Sequence, residues 1–283
     1  MPGTELAIHS SSRTARHIGR ILRTLIVSLV GITLLVPLLY ALYSSFELPR
    51  DYGRLVSPSH LTLWNFGQVM TLVPILHWYL NTLVVTVIMM VGNFAVNTPA
   101  GYALARLRFP GKRVIFLVVL GVMMVPLQAY LIPLYLTVAQ LGWLNSYASL
   151  TVPFIVNCFF IFLIRQFFLT IPREYDDAAE VDGLGKVATF FRIGLPLSAP
   201  AIVTQAVLGF TMTWNSFLIP VTMTNDKSFF VLTVGLNTLK SQYYDFPTVT
   251  MAGVVLLTVP VILVFVLFQR YIVPSLASTG VKG

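Results

Sequence analysis

Charge is scarce in this sequence. Asp, Glu, Lys and Arg make up 10% of its 283 residues, whereas soluble proteins contain about 25%. Hydrophobic residues make up 57%, and the mean hydropathy is +0.83. This composition excludes an ordinary soluble domain and predicts an integral membrane protein. Because the apolar runs are continuous and do not alternate with polar residues, we expect an all-α membrane protein.

Residues that commonly carry catalysis or bind metals are also sparse. The single cysteine, Cys158, lies inside an apolar run, so neither a disulfide framework nor a cysteine metal site is expected. An intramembrane enzyme needs a buried Asp pair, a Ser/His pair or a His–Asp motif, and the sequence has none of these. The four histidines are scattered: His9, His17, His60 and His77. We therefore expect no enzymatic activity and no metal ion bound by this chain.

A nucleotide-binding loop is missing as well. The pattern G-x-x-x-x-G-K-[S/T] does not occur, and the strings GLGKV (183–187) and PGKRV (110–114) lack its spacing and its hydroxyl. We expect no cofactor on this chain, so an ATP-driven process would depend on another protein. A channel or an ATP-independent secondary transporter is the rival class. Such carriers often show membrane-embedded carboxylates or an inverted repeat, and we find neither.

Five long apolar runs predict six transmembrane helices. A helix needs about 20 apolar residues to cross the hydrocarbon layer, so four of the runs hold one helix each. The run at 114–164 is interrupted by the polar stretch GWLNSYAS and is expected to hold two. Residues 1–23 form a polar tail, and residues 24–283 form the membrane domain. The predicted spans are 24–46, 79–105, 114–137, 148–168, 200–223 and 249–270.

Basic residues predict the orientation of these helices. With the N-terminus inside, fourteen of the 18 lysines and arginines fall in cytoplasmic segments. The other four, Arg50, Arg54, Lys227 and Lys240, are balanced by four acidic residues outside. This positive-inside asymmetry predicts that both termini are cytoplasmic. It also explains the net charge of +8 without nucleic-acid binding.

Half of the ten acidic residues fall in one cytoplasmic stretch, residues 171–196, which we call the acidic loop. A short helix is predicted to begin near Pro172 and to end at Gly183, which can adopt the left-handed conformation that follows a helix. A second short helix is predicted for 184–193, with Pro196 as its stop. The acidic residues of the loop are Glu174, Asp176, Asp177, Glu180 and Asp182.

One face of the first loop helix is suited to a close approach. Tyr175, Ala178, Ala179 and Asp182 recur at i, i+3, i+4 and i+7, and the two alanines make this face shallow. The flanking acids could form ion pairs with another surface. From helix physics alone, docking to a partner and a simple connection between two spans fit the loop equally.

Seven polar or amphipathic residues lie inside the predicted spans, where hydrocarbon leaves polar groups unsatisfied unless they face the interior. All are uncharged, which suits a hydroxyl-rich neutral solute better than an ion. The alternative for each is an interhelical hydrogen bond, worth about 0.6 kcal/mol. We expect Trp214 and Asn215 to contact solute, because an aromatic face beside an amide suits a sugar ring. The seven are Asn93, Asn97, Gln128, Asn157, Gln205, Trp214 and Asn215.

The acidic loop also carries a family motif. Its spacing matches the E-A-A-x3-G-x9-I-x-L-P pattern of bacterial ABC importer permeases at every position, with Asp in place of the Glu. The matching residues are Asp177, Ala178, Ala179, Gly183, Ile193, Leu195 and Pro196. From about Leu63 onward, the chain resembles the smaller, second membrane subunit of maltose-type carbohydrate importers. The segments that carry this resemblance are ARLRFPGKR (105–113), MMVPLQAYLIPLYL (123–136), FLIRQFFLTIP (162–172), TWNSFLIPV (213–221) and SLASTGVKG (275–283).

The resemblance implies a six-helix, type I ABC importer permease (MetI-like) fold in a bacterial cytoplasmic (inner) membrane. It implies that residues 173–192 dock into a cleft of a cytoplasmic ATPase, with the family roles of Glu and Gly carried by Asp177 and Gly183. Asp176 could share the ion pair, because Asp177 is one methylene shorter than Glu. The implied partners are a homologous permease, an ATPase dimer that holds ATP and Mg²⁺, an external solute-binding protein and a sugar. A permease for glycerol phosphate or a polyol is the alternative.

The external loop, residues 224–248, is long for a connection between two antiparallel spans. It is rich in aromatic residues, which favour interfaces. One interpretation is an aromatic belt at the membrane surface. The other, implied by the resemblance, is contact with the binding protein through Leu236, Asn237, Gln242 and Tyr243.

Overall fold

The computed structural model describes residues 5–242 and 246–277, and within these ranges it contains α-helices and short helical turns but no strand. The prediction of an all-α protein is therefore confirmed. The first helix already begins at Glu5, inside the stretch predicted as a polar tail. In chain order the helices are α1 Glu5–Ser44, α2 Trp64–Leu72, α3 Ile75–Arg106, α4 Lys112–Met123, α5 Leu127–Gln140, α6 Tyr147–Thr151, α7 Cys158–Thr170, α8 Glu174–Val181, α9 Lys186–Thr189, α10 Leu195–Leu197, α11 Ala199–Trp214, α12 Leu218–Met223, α13 Leu232–Gln242 and α14 Pro247–Ala277.

Three of these helices are individually long and apolar enough to cross a membrane: Gly19–Ser44 within α1, Ile75–Arg106 and Pro247–Arg270 within α14. They correspond to the first, second and sixth predicted spans. Three bent helix pairs also pass this test, so the described chain holds up to six spans by length and composition.

The third, fourth and fifth predicted spans are not the single helices that the sequence indicated. The α4 and α5 axes differ by 97°, and a bend of 41° separates the α6 segment from α7. In the fifth span, α11 stops at Trp214 and α12 begins at Leu218. The break before α5 falls at Pro126, which has no N–H and disfavours helical backbone in the residue before it.

The chain forms two compact units. The first, residues 1–69 with 244–255, is organised by the buried Asn65. Its Nδ2 donates to the carbonyls of Ser45 at 2.9 Å and Glu47 at 2.6 Å, and its Oδ1 accepts from the Thr248 hydroxyl at 3.0 Å. One amide side chain thus satisfies three groups from separate segments of the sequence.

The second unit, residues 70–243 with 256–283, is centred on α3, which packs against α7 and α11. Close approach depends on glycine: a Cβ on Gly101 would lie 2.7 Å from Ile164 Cγ2. Small residues allow helix backbones to approach in this way inside membranes. Near the C-terminal end of α3, Tyr102 packs against Phe168 and Phe190, which joins α3 to α7 and to the acidic loop.

Candidate functional site

The acidic loop contains the turn that its sequence predicts. After α8, Gly183 has φ of +77°, and its N–H donates to the Glu180 carbonyl at 3.1 Å. The Leu184 N–H donates to the Ala179 carbonyl at 2.8 Å. This pair of hydrogen bonds is a Schellman motif, which requires a left-handed residue at the position of Gly183. The predicted role of Gly183 as the helix-ending residue is confirmed.

The second loop helix differs from its prediction. It starts at Lys186, continues through a π-helical turn at Phe190–Gly194 and reaches Leu197, so Pro196 does not end it. In the π turn the Leu195 N–H bonds to the Phe190 carbonyl, five residues back. This wider turn accommodates the proline ring within the following turn, and the chain bends by 75° only at α11.

The acidic loop is anchored to the membrane domain by an ion pair that the sequence analysis did not anticipate. Arg106, the last residue of α3, places Nη1 3.1 Å from Asp176 Oδ2 and donates from Nη2 to the Ile171 carbonyl at 2.6 Å. The side chain of Arg106 is 6% exposed and that of Asp176 is 29% exposed. Asp176 is therefore paired within this chain, which leaves Asp177 as the exposed acid of the motif.

Of the four residues on the predicted shallow face of α8, one is buried and three are exposed. Ala179 is buried by its own chain, whereas Ala178, Asp182 and Tyr175 remain exposed. Val181 is 88% exposed beside them, which is a large exposure for a branched apolar side chain. The outward surface of α8 is thus apolar in the middle and acidic at its edges.

The other motif residues lie nearer the membrane domain. Ile193 and Leu195 are half-buried, and Leu195 packs against the cluster that contains Tyr102, whereas Pro196 is exposed. On the outside of the loop, Lys186 Nζ lies 2.8 Å from Glu180 Oε2. This hydrogen bond lowers the pKa of Glu180 and raises the pKa of Lys186.

Three of the seven candidate pathway residues form one hydrogen-bond network at the α6–α7 break. Asn97 Nδ2 donates to Asn93 Oδ1 at 2.7 Å and to the Ile155 carbonyl at 2.9 Å. Asn97 Oδ1 accepts from the Asn157 N–H at 3.0 Å, and Asn157 in turn caps the first turn of α7. Asn97 therefore satisfies backbone groups that the break in the helix leaves without their regular partners.

The other candidates are placed differently. Gln205 is buried, and its Oε1 accepts from the Thr98 hydroxyl at 3.1 Å, while its Nε2 donates to the Asn93 carbonyl at 3.3 Å and so links it to the network above. Trp214 is also buried, and its Nε1 donates to the Leu257 carbonyl at 3.0 Å, so its polar atom is already occupied. Gln128 and Asn215 are exposed, and Asn215 Nδ2 bonds back to the Thr211 carbonyl at 3.0 Å.

A cavity of about 250 Å³ lies in the second unit between α3, α5, α7, α11 and α12. We call it the break cavity, because residues near the α4–α5, α6–α7 and α11–α12 breaks line it. Of the predicted pathway residues, the cavity includes Asn93 and Asn157 but not Trp214 or the other four. The sequence analysis missed all four of its hydroxyl residues, because Ser, Thr and Tyr inside an apolar helix give no distinctive signal. Those residues are Thr82, Tyr130, Thr213 and Ser216.

The first part of the external loop is folded onto α3. Asn81 Nδ2 donates to the carbonyls of Ser228 at 2.8 Å and Phe230 at 2.9 Å, and Trp78 Nε1 donates to the Lys227 carbonyl at 3.1 Å. Phe230 is buried against Trp78. This aromatic residue therefore contributes to internal packing and does not lie at the protein surface.

Helix α13 holds the predicted binding-protein contacts. Leu236 is buried, Asn237 is exposed and Gln242 ends the helix, while Tyr243 lies outside the described residues. At Gly235 an added Cβ would overlap the Trp78 ring, so the helix rests directly on the indole ring. The loop thus presents a helix with an outward polar position, held at a fixed distance from α3.

Comparisons with known proteins match this architecture. The family model of the binding-protein-dependent transport system inner membrane component matches residues 97–278. The chain is 35% identical over 253 residues to the arabinooligosaccharides transport system permease protein of Halalkalibacterium halodurans, with 87% of this chain and 91% of that protein covered. It is 30% identical over 271 residues to the trehalose/maltose transport system permease protein of Thermococcus litoralis, with 93% and 97% covered. A crystal structure of a bacterial ABC transporter involved in the import of the acidic polysaccharide alginate matches with a TM-score of 0.80 and 25% identity, over 91% of this chain and 97% of that chain.

Proposed function

Because this chain belongs to the family of inner membrane components of binding-protein-dependent transport systems, we propose that it forms half of the translocation pathway of an ATP-driven importer for a neutral sugar or oligosaccharide. The observation that carries the choice of cargo is the break cavity, which is lined by amides and hydroxyls but, among the described residues, by no charged side chain. The fold alone does not select a neutral cargo, since a chain with a similar fold belongs to a transporter involved in the import of the acidic polysaccharide alginate.

The energy would come from an ATPase dimer that holds ATP and Mg²⁺ and docks against the acidic loop. The outward surface of α8 supports this role, because it combines the exposed Val181 and Tyr175 with the exposed acid Asp177. An apolar centre with charged edges is typical of a protein interface. A homologous permease, an external solute-binding protein and membrane lipid complete the assembly.

Reconstituted transport tests this proposal. The chain, co-purified with its partner permease and ATPase and supplied with the binding protein in liposomes, is expected to accumulate radiolabelled arabinotriose or maltotriose only when ATP is present. Asp177→Lys should reduce ATPase co-purification and uptake together, because the ion pair offered to the ATPase becomes a repulsion. Accumulation of sn-glycerol 3-phosphate in place of both saccharides would show that the cargo class is wrong.

We place the acidic loop and both termini in the cytoplasm and α13 outside, on the basis of the basic-residue asymmetry. Cysteine labelling is the test, in a Cys158→Ser background. A membrane-impermeant maleimide should label the Asn237→Cys variant in cells whose outer envelope has been made permeable but whose cytoplasmic membrane is intact. It should label the Val181→Cys variant only after the cytoplasmic membrane is permeabilised. Both positions are exposed in this chain, and expressing it without the ATPase keeps Val181 uncovered, so burial does not limit the reaction. The reverse pattern would invert the topology.

The same variants test contact with the binding protein. Loaded binding protein should slow labelling of the Asn237→Cys variant severalfold, because docking covers the outward face of α13. A Leu55→Cys variant is the control, since Leu55 is 96% exposed in another loop assigned to the outside and lies apart from the proposed contact residues in sequence. Equal labelling rates of the Asn237→Cys variant with and without the binding protein would show that the binding protein does not cover α13.

A further inference from the structure

Three interrupted helices meet at the break cavity. Tyr130 follows the α4–α5 break, Asn157 lies at the α6–α7 break, and Ser216 lies between α11 and α12. Non-helical backbone at membrane depth is tolerated where it is buried in protein or lines a cavity, and interrupted helices often surround the solute site of a transporter. The convergence of these three breaks on one space distinguishes this cavity from an ordinary packing gap.

Three of the four hydroxyl groups of the break cavity lack partners in the described parts of the chain, whereas the Thr82 hydroxyl donates to the Trp78 carbonyl at 2.7 Å. Tyr130, Thr213 and Ser216 line the cavity, and none of their side-chain oxygens takes part in a hydrogen bond there. Thr211, on the same helix as Thr213, behaves differently: its Oγ1 donates to the Val207 carbonyl at 2.8 Å. Hydroxyls in an apolar surrounding cost free energy unless water or a ligand bonds to them, so these three are available for a ligand.

The remaining walls narrow the class of ligand. Asn93 contributes an amide, and within the described residues one of its two N–H groups has no partner beside the bond from Nδ2 to the Met89 carbonyl at 2.7 Å. Phe154 and Phe160 add aromatic surface. A phosphate or carboxylate would call for Arg or Lys, and no described lining residue is either. Neutral hydrogen-bonding groups beside aromatic rings match a sugar unit, whose edges carry hydroxyls and whose faces carry C–H groups.

We propose that this subunit itself binds solute: the break cavity is a subsite for one uncharged sugar unit, and Tyr130, Thr213 and Ser216 recognise its hydroxyls. The inference rests on the proposed sugar cargo and adds a specific contact surface in this chain. It also moves the expected contact from Trp214 and Asn215, which do not line the cavity, to their sequence neighbours Thr213 and Ser216 and to Tyr130, which do.

Single-hydroxyl variants test the subsite by kinetics. In the reconstituted complex, Tyr130→Phe, Thr213→Val and Ser216→Ala are each expected to lower saccharide uptake about fivefold at limiting loaded binding protein, the size expected for one lost hydrogen bond. Stimulation of ATP hydrolysis should stay within about twofold of wild type, since the acidic loop is unchanged. Thr211→Val is the matched control, because it removes a hydroxyl of α11 that lies outside the cavity.

A second measurement covers variants that assemble poorly. In a Cys158→Ser background, a polar methanethiosulfonate should modify the Ser216→Cys variant, and maltotriose-loaded binding protein with ATP should slow the reaction severalfold compared with unloaded binding protein. The Thr211→Cys variant should show no such protection. The proposed subsite is wrong if all three hydroxyl variants match Thr211→Val and no protection occurs, which is the result expected for a cavity filled by a lipid chain. The proposal of a sugar cargo remains valid in that case, provided that the wild-type complex takes up saccharide. If the wild-type complex takes up no saccharide, both proposals fall.

Discussion

Replacing Gly183 by valine is expected to abolish ATP-driven uptake and to weaken the association of this subunit with the ATPase. The residue has φ of +77°, and no atom lies within 4 Å of an added Cβ, so the penalty is conformational and not steric crowding by neighbours. A left-handed conformation costs an L-residue about 1–2 kcal/mol, and a branched Cβ tolerates it poorly. Relief of this strain would break the hydrogen bonds that end α8 and would redirect α8 relative to Lys186.

Gly185 provides the matched control for this prediction. It lies two residues away, an added Cβ there would also meet nothing within 4 Å, and its φ of −70° is open to any residue. Gly185→Val should therefore retain uptake and co-purify normally with the ATPase. Gly183→Asn should fall between the two, because asparagine tolerates the left-handed region better than valine. Equal uptake by Gly183→Val and Gly185→Val would show that the turn is not required for coupling.

Loss of the Arg106–Asp176 pair is expected to separate ATP hydrolysis from transport. Arg106→Gln leaves the Asp176 carboxylate without its buried partner and removes the second anchor, the hydrogen bond to the Ile171 carbonyl. Removing one member of a fully buried pair costs about 3–5 kcal/mol, and the partial exposure of Asp176 reduces this to about 1–3 kcal/mol. Uptake per ATP hydrolysed should fall several-fold, and thermal stability should fall modestly.

The exposed pair Glu180–Lys186 in the same loop is the control. Its 2.8 Å separation is shorter than that of the Arg106 pair, but its side chains are 70% and 62% exposed, and exposed pairs contribute little. Glu180→Gln should leave both stability and the ratio of uptake to hydrolysis near wild type. A charge exchange, Arg106→Asp with Asp176→Arg, should recover part of the lost coupling. If Arg106→Gln and Glu180→Gln behave alike, Arg106 does not position the acidic loop.

Local chemistry made much of this architecture predictable. The end of α8 at Gly183 depends on neighbouring residues alone, and the long helices follow from uninterrupted apolar runs. The breaks in the third to fifth spans were harder to predict, because an apolar run has the same composition whether the helix is straight or interrupted. Pro126 marks one break directly, but the break at Asn157 is stabilised by Asn97, 60 residues earlier in the chain.

The site was predicted less completely, for a related reason. Arg106 and Asp176 are 70 residues apart in sequence, so no local pattern pairs them, and Arg106 resembled one more basic residue at a helix end. Trp214 combines an aromatic surface with a polar atom, which made it a reasonable candidate for solute contact. The structure gives its indole N–H to the Leu257 carbonyl, and a buried tryptophan with a satisfied N–H serves packing.

If the break cavity binds solute and the acidic loop docks the ATPase, as proposed above, helix α3 makes solute handling and energy supply hard to alter independently. The same continuous helix lines the break cavity with Asn93 and holds the acidic loop with Arg106, thirteen residues or about 20 Å further along. A substitution that shifts or rotates this helix to suit a new cargo also moves the anchor of the acidic loop. Changes of cargo preference within such a subunit are therefore least costly at Tyr130, Thr213 and Ser216, which lie on other segments. Random mutagenesis for altered substrate range should recover replacements there more often than replacements on α3.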